Sequence, residues 1–257
     1  MTIKDLLVSV DSSPTGRERL AFALHLSQRH GARVTAYYTS PTVGDVGEAS
    51  AAEIAEVIER EFEAELGLHQ LTGTWMLSGD EASENLIEEI RYADIAVLGL
   101  GSPERGEVDP QGLRVADIVL ACGRPVLCAP VSRLSLKPFG KVLIAWDGSR
   151  EASRALHDAI PLIQEAEEVS VVTLGSNADI PQRAVDHLLR HGVRAKAEAA
   201  LASSLDIGSE LLQQAAMLDV DLMVAGAYGH AKLTEELLGG SSRSLLHQML
   251  VPVLLSH

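Results

Sequence analysis

Residues Asp5 to Ser13 read DLLVSVDSS and residues Lys141 to Ser149 read KVLIAWDGS, so an apolar run ending in Asp, a small residue and Ser occurs twice, 136 positions apart. A second pair, ADIAVLGLGS at 93–102 and VDLMVAGAYG at 220–229, recurs at an offset of 127. Repetition over most of a chain indicates that it contains two copies of one structural unit. The nine-residue difference falls where the first half has a longer acidic segment, Val43 to Gly67.

Each half alternates short apolar runs with amphipathic stretches, which is the pattern of βα units stacked on a parallel sheet. We expect five strands and four helices per half, and therefore two tandem doubly wound α/β domains of Rossmann-like type with five-stranded parallel sheets. Pro138 and Gly140 punctuate the chain before the motif restarts, which places the domains at 1–135 and 136–257. The predicted strands are 6–10, 34–38, 72–77, 95–98, 126–129, 142–146, 169–174, 195–200, 222–225 and 253–255.

Charge and composition exclude several classes of partner. The chain of 257 residues has a formal net charge of −15, which repels polyphosphates at long range, and no run of Lys or Arg counters it. Aromatic residues make up 4% of the chain, which leaves few platforms for stacking bases, so we expect no nucleic acid partner. The apolar stretch near the N-terminus is shorter than a signal-peptide core or a membrane span. We therefore expect a cytoplasmic protein with no membrane partner.

Several conspicuous residues are interpreted as structural. Cys122 and Cys128 have neither the spacing of a redox pair nor that of a zinc quartet, so we predict two small buried hydrophobic side chains. Trp75 and Trp146 lie on predicted strands and are expected in core or interdomain packing. The acidic run from Glu48 to Glu65 predicts an amphipathic helix with a solvated face, with partner docking as the less favoured reading.

A glycine-rich loop follows the fourth strand of the second half, and a helical stretch to Met249 follows the loop. Ligands of doubly wound sheets bind beyond the carboxyl ends of the strands, and a helix N-terminus favours an anion. The loop therefore suits phosphate groups, although the same glycines could serve a surface loop. It matches neither a Walker A loop nor G-x-G-x-x-G. Its candidate contacts are Gly226, Gly229, Gly239, Gly240, Ser241 and Ser242.

The spacing Gly226-x2-Gly229-x9-Gly239, preceded by VDLMVAGAYG and followed by VPVLLSH, resembles the universal stress protein family in its tandem two-domain form. The resemblance implies a five-stranded parallel fold whose last strands pair domains into a dimer. In the ATP-binding branch of that family, an Asp after strand one contacts adenine, and the glycine loop with a following Ser or Thr holds the phosphates. ATP with Mg²⁺ is the ligand that the resemblance implies.

Carried onto this chain, the resemblance assigns nucleotide binding to Asp147, Val172, Gly226, Gly229, Gly239, Gly240, Ser241 and Ser242. Gly240 stands where the family has its first hydroxyl residue, so Ser242 or Ser241 would supply that contact. Val172 marks the second-strand contact to within about a residue.

The first half departs from this pattern. It retains Asp11, Gly99 and Gly112, but Ser102 replaces the second glycine, and the residues after Gly112 are Leu, Arg and Val. Three acids between the second and third positions of the motif would oppose a triphosphate. We expect a degenerate first domain that does not bind ATP in the same way, and an intact glycine loop in the second. The tandem itself would form an intramolecular pseudo-dimer, with a further homodimer left open.

Catalysis and metal binding are not favoured by the sequence. His187 and His191 are one helical turn apart, but no third ligand is evident nearby, so a solvated helix face is preferred and no metal site is expected. No nucleophile elbow or acid–base pair is found, which favours a binding or signalling module in the stress response over an enzyme, with weak ATP hydrolysis left open. The alternative is a non-nucleotide stress-response module that docks a protein partner or holds another small ligand in its first half.

Overall fold

The computed structural model describes residues 2–39, 48–78, 82–99, 115–130, 134–174, 179–200, 207–227, 246 and 248–257. These residues form two compact units, Thr2–Leu136 and Lys137–His257, which are called the first and second domains below. No helix in the described ranges is both long enough and apolar enough to cross a membrane.

The first domain is a parallel sheet with helices between its strands. Its strands are β1 (Asp5–Val10), β2 (Arg33–Tyr38), β3 (Gly73–Leu77), β4 (Ile95–Gly99) and β5 (Val126–Ala129), and its helices are α1 (Pro14–His30), α2 (Glu48–His69), α3 (Ala82–Ile90) and α4 (Val115–Cys122). The strand order is β3-β2-β1-β4-β5, with every pair parallel. The chain therefore winds outward from β1 in both directions.

The second domain repeats this arrangement. Its strands are β6 (Lys141–Ala145), β7 (Glu168–Leu174), β8 (Ala195–Ala200), β9 (Leu222–Gly226) and β10 (Val253–Ser256), and its described helices are α5 (Arg150–Ile163), α6 (Asp179–Arg190) and α7 (Ile207–Leu218). The strand order is β8-β7-β6-β9-β10, again parallel throughout. The predicted tandem doubly wound α/β fold is confirmed, and all ten predicted strands lie within one residue of their expected ends. The helix predicted after β9 lies largely outside the described residues.

The core of each domain lies between the sheet and the helices that cover its two faces. In β1, five of six residues are buried, because a central parallel strand packs against helices on both sides. The edge strand β8 instead has no buried residue, with three half-buried and three exposed positions. Cys122 and Cys128 are both buried, as predicted.

The acidic helix α2 presents one apolar side to the first domain. Ile58 and Phe62 are 1% exposed, and the Phe62 ring lies 5.9 Å from that of Trp75. Val57, directly before Ile58 in the sequence, is 42% exposed. Its position on the helix is therefore at the border of the buried side.

Two serines start the helices that follow β1 and β6. The Ser13 hydroxyl accepts a hydrogen bond from the Gly16 N–H at 3.0 Å, and Ser149 does the same for Ala152 at 3.1 Å. Such capping satisfies backbone donors that the first helical turn leaves unpaired. The Asp two residues before each serine is thereby held at the carboxyl end of the central strand.

Candidate functional site

A cavity of about 160 Å³ opens at the carboxyl ends of β6, β7 and β9 in the second domain. Because β6 lies between β7 and β9, this is the point where the strand order reverses, which is where doubly wound folds bind ligands. The lining residues are Ala145, Trp146, Asp147, Ala152, Val172, Leu174, Ile207, Leu211, Ala225 and Gly226. Three of the residues selected from the sequence, Asp147, Val172 and Gly226, therefore line one cavity. The other five, Gly229, Gly239, Gly240, Ser241 and Ser242, lie outside the described residues.

Asp147 is positioned by the turn that leads from β6 into α5. Its Oδ1 accepts a hydrogen bond from the Ser149 N–H at 2.9 Å, while the hydroxyl of Ser149 caps the helix. The side chain is exposed at the mouth of the cavity. The local hydrogen bond holds one carboxylate oxygen in place, and the residue lines the cavity.

Gly226, at the end of β9, has a packing role that the sequence did not reveal. A Cβ at this position would lie 2.5 Å from the Ala152 nitrogen and 2.6 Å from the Glu151 carbonyl carbon, in the first turn of α5. No side chain fits at those distances without moving backbone. The contact between β9 and α5 therefore already requires a glycine at this position, whether or not a phosphate approaches it.

The corresponding place in the first domain is occupied by the guanidinium of Arg19, from α1. Its Nε donates to the Ser9 carbonyl oxygen at 2.7 Å, and its Nη2 lies 2.6 Å from Asp11 Oδ2. A Cβ on Gly99 would come within 2.6 Å of Cζ of the same guanidinium. By the repeat, Ser9, Asp11 and Gly99 correspond to Ala145, Asp147 and Gly226, which line the cavity of the second domain. The guanidinium of Arg19 thus contacts the first domain's counterparts of three residues that line the cavity of the second domain.

The Arg19 pair also changes the chemistry of Asp11. Burial alone would raise the pKa of this carboxyl group, but the charge of Arg19 and hydrogen bonds from Ser13 and Arg19 outweigh it, so the pKa lies below its ordinary value of 3.8. A carboxylate whose two oxygens already accept hydrogen bonds from Ser13 and Arg19 has little capacity to bind a further cation or donor. Asp11 is therefore committed to an internal contact.

A cluster of three histidines lies elsewhere in the second domain. His157 on α5 contacts His187 on α6 and His191 just after it, with ring centroids separated by 4.6 to 5.6 Å. Partial burial lowers the pKa of His187, and the charges of His191, His157 and Arg190 act in the same direction. The expectation that no third ligand lies near His187 and His191 is wrong, because His157 is 30 residues away along the chain and adjacent in space.

Comparisons with known proteins identify the fold. No family model matches the chain, and no curated protein matches it. A universal stress protein from Archaeoglobus fulgidus DSM 4304 superimposes with a TM-score of 0.75 at 15% identity, covering 98% of this chain and 95% of its own. A functionally unknown protein from Pseudomonas aeruginosa PAO1 gives a TM-score of 0.64 at 15% identity, covering 99% and 92%. The chain therefore has the fold of a tandem universal stress protein along nearly its whole length.

Proposed function

We propose that this chain is a universal stress protein whose second domain binds an adenine nucleotide, with ATP and Mg²⁺ as the preferred form, and acts as a binding or signalling module. One observation carries the proposal. A cavity is open at the switch point of the second domain's sheet, whereas in the first domain the counterparts of three of its lining residues contact the buried guanidinium of Arg19.

The lining of the cavity suits a purine base. Val172, Ile207 and Leu211 supply apolar surface for the faces of a flat ring, and Asp147 supplies a carboxylate that accepts hydrogen bonds. The exocyclic amino group of adenine donates a hydrogen bond that the Asp147 carboxylate can accept. The apolar slot with one acceptor therefore suits a purine that carries an amino group, and the resemblance of the loop sequence to the ATP-binding branch of the universal stress proteins selects adenine among such purines.

The described cavity has room for the base rather than for the whole nucleotide. Its volume of about 160 Å³ is below the roughly 300–1,000 Å³ of cavities that enclose drug-sized ligands. In the proposal, the phosphates with their Mg²⁺ extend towards the loop from Gly229 to Ser242. The sequence of that loop provides glycines, hydroxyls and a following helical stretch, which favour anions.

The same reasoning assigns no nucleotide to the first domain. A base in the equivalent place would have to displace the guanidinium of Arg19, which bonds a strand carbonyl and the Asp11 carboxylate. Breaking a buried, paired charge costs several kcal/mol, by order of magnitude. We therefore expect one nucleotide per chain.

Binding, and not turnover, is the activity that the described cavity supports. Asp147 is the one ionisable side chain among its described lining residues. General acid–base catalysis needs a group that can donate as well as one that can accept a proton. The proposal therefore treats any ATP hydrolysis as slow and incidental.

Calorimetry on nucleotide-stripped protein tests the proposal, with ATP, AMP and GTP as titrants. We expect one ATP site per chain, weaker binding of GTP, and a loss of about tenfold or more in ATP affinity for Asp147→Asn, since a lost hydrogen bond to a charged group is worth about 1.5–3 kcal/mol. Asp11→Asn is the matched control and should keep wild-type affinity. Absence of binding at millimolar ATP, or equal losses in the two variants, would overturn the proposal. Mass spectrometry of small molecules carried through native purification would then identify the ligand of a non-nucleotide module.

A further inference from the structure

The three histidines of the second domain have the arrangement of a metal-binding group. His157 comes from α5, and His187 and His191 are spaced by one turn at the end of α6. The His191 N–H donates to the His187 carbonyl oxygen at 3.3 Å, so helical geometry continues through both residues. Side chains four residues apart on a helix share one side, and that side faces His157.

The separations of the ring nitrogens match those of imidazole ligands around a small metal ion. His157 Nδ1 lies 3.4 Å from His187 Nε2, and one nitrogen from each of the three rings lies within 4.8 Å of the others. Zinc binds imidazole nitrogen at about 2.0–2.1 Å, so tetrahedral geometry places two ligand nitrogens about 3.4 Å apart. Two of the ligands therefore have the required spacing, and a nitrogen of the third lies within 4.8 Å of both.

We propose that His157, His187 and His191 bind a divalent metal ion of the zinc type. Three imidazoles favour borderline ions such as Zn²⁺ over Mg²⁺ and Ca²⁺, which prefer oxygen ligands. A metal held by three histidines retains an open fourth position, which water or an anion occupies. The site is separate from the nucleotide proposal and does not depend on it.

The surroundings leave room for that fourth ligand. His157 and His187 line a cavity of about 620 Å³, together with Arg183, Arg190 and Asp186. The two arginines give this cavity a net positive charge, so coordination bonds, and not electrostatic attraction from the surroundings, hold the metal ion. The same positive charge suits an anion as the fourth ligand.

Zinc titration of tag-free, chelator-treated protein tests the site. We expect one Zn²⁺ per chain with micromolar or tighter affinity, and no comparable binding of Mg²⁺. His157→Ala, His187→Ala and His191→Ala should each weaken Zn²⁺ binding by about 100-fold or more, because removing a ligand costs more than the roughly 10–100-fold effect of disturbing its outer-shell partner. His69→Ala, on α2 of the first domain, is the control and should leave binding unchanged.

Circular dichroism separates a lost ligand from a lost fold. His191 is exposed and follows the helix, so His191→Ala is the variant least able to disturb packing. Loss of zinc binding in a folded His191→Ala protein, with wild-type melting in the absence of zinc, supports the site. No stoichiometric Zn²⁺ in the wild type, or unchanged affinity in His191→Ala, overturns it, whatever the result of the ATP titration.

Discussion

The guanidinium of Arg19 is paired with the carboxylate of Asp11 at 2.6 Å, and 6% of the arginine side chain is exposed. Ala155 occupies the repeat-equivalent position, five residues into α5 as Arg19 is five residues into α1. The same Asp-x-Ser turn therefore ends in a closed ion pair in the first domain and beside a cavity in the second. The two domains therefore differ at this helix position and not in the turn itself.

Removing Arg19 should destabilise the first domain. Arg19→Ala leaves the part-buried Asp11 without its partner, so we expect a loss of about 3 kcal/mol, at the low end for breaking a buried pair. The chain has two tryptophans, one in each domain, so Trp75 fluorescence in a Trp146→Phe background follows urea unfolding of the first domain alone. The control is Arg17→Ala, whose pair with Glu61 is about half exposed and is worth about 1 kcal/mol or less. Equal losses in the two variants would contradict the role of the buried pair.

The Asp11 pair should also make the first domain sensitive to acid. Because the folded pKa of Asp11 lies below its ordinary value of 3.8, the stabilisation is fully present above that value and is lost as the pH falls through the folded pKa. The difference in unfolding free energy between wild type and Asp11→Asn should be constant from about pH 5 to 7 and shrink below pH 4. Urea midpoints from Trp75 fluorescence at several pH values measure this difference. A constant difference down to pH 2 would disprove the linkage.

An alanine at position 226 should destabilise the second domain. The added Cβ would meet the backbone of α5 at 2.5 Å, so β9 and the helix must separate. We expect the free energy of unfolding of the second domain to fall by about 1–3 kcal/mol, the usual cost of overpacking. Trp146 fluorescence during urea unfolding, in a Trp75→Phe background, measures this change. Gly67→Ala is the control, since a Cβ there meets nothing within 4 Å inside helix α2. That change should stabilise the first domain by about 0.5–1 kcal/mol, measured by Trp75 fluorescence in a Trp146→Phe background.

An arginine at position 155 should give the second domain an ion pair like the one that Arg19 and Asp11 form in the first domain. In Ala155→Arg, the guanidinium can reach Asp147 as Arg19 reaches Asp11, which removes the space and the acceptor proposed for adenine. We expect ATP binding to fall below detection in a protein that still melts cooperatively. Ala155→Met adds length without charge and should weaken binding less. Wild-type ATP affinity in a folded Ala155→Arg protein would show that the ligand does not use this cavity.

Both cysteines should resist alkylation in the folded protein. Cys128 is fully buried, and desolvation raises the pKa of its thiol to about 12, so almost no thiolate forms at pH 8. Cys122 is 3% exposed at the end of α4. Mass spectrometry after iodoacetamide treatment should find no adduct on native protein and two on protein unfolded in urea. Rapid labelling of the native protein would mean that the first domain opens readily.

The fold could be derived from the sequence because it depends on short-range patterns. Apolar runs such as Leu6–Val10 are read directly as buried parallel strands, and the Ser13-Pro14 pair marks the start of α1. The repeat then fixes the second domain from the first. Nothing in these patterns requires knowledge of which side chains meet across the sheet.

The parts of the site that the sequence did not reveal depend on contacts between distant residues. Arg19 is a charged residue inside a helix, and its burial becomes visible when α1 is seen to pack beside Ser9 and Gly99. His157 is likewise separated from His187 by a strand and a turn. An alignment of the two halves of the sequence could have singled out Arg19, because the equivalent residue is Ala155 and the two side chains differ in both size and charge.

The shared Asp-x-Ser turn also limits how tandem chains of this kind can be classified. Each Asp receives the N–H of the serine two residues later, and each serine caps a helix, so folding alone maintains the turn whether or not a ligand binds. A motif search scored on that turn would count two nucleotide sites in this chain. The two domains differ eight residues after the Asp, where the first has Arg19, whose guanidinium pairs with Asp11, and the second has Ala155. A search that also scores this position would tell the two domains apart.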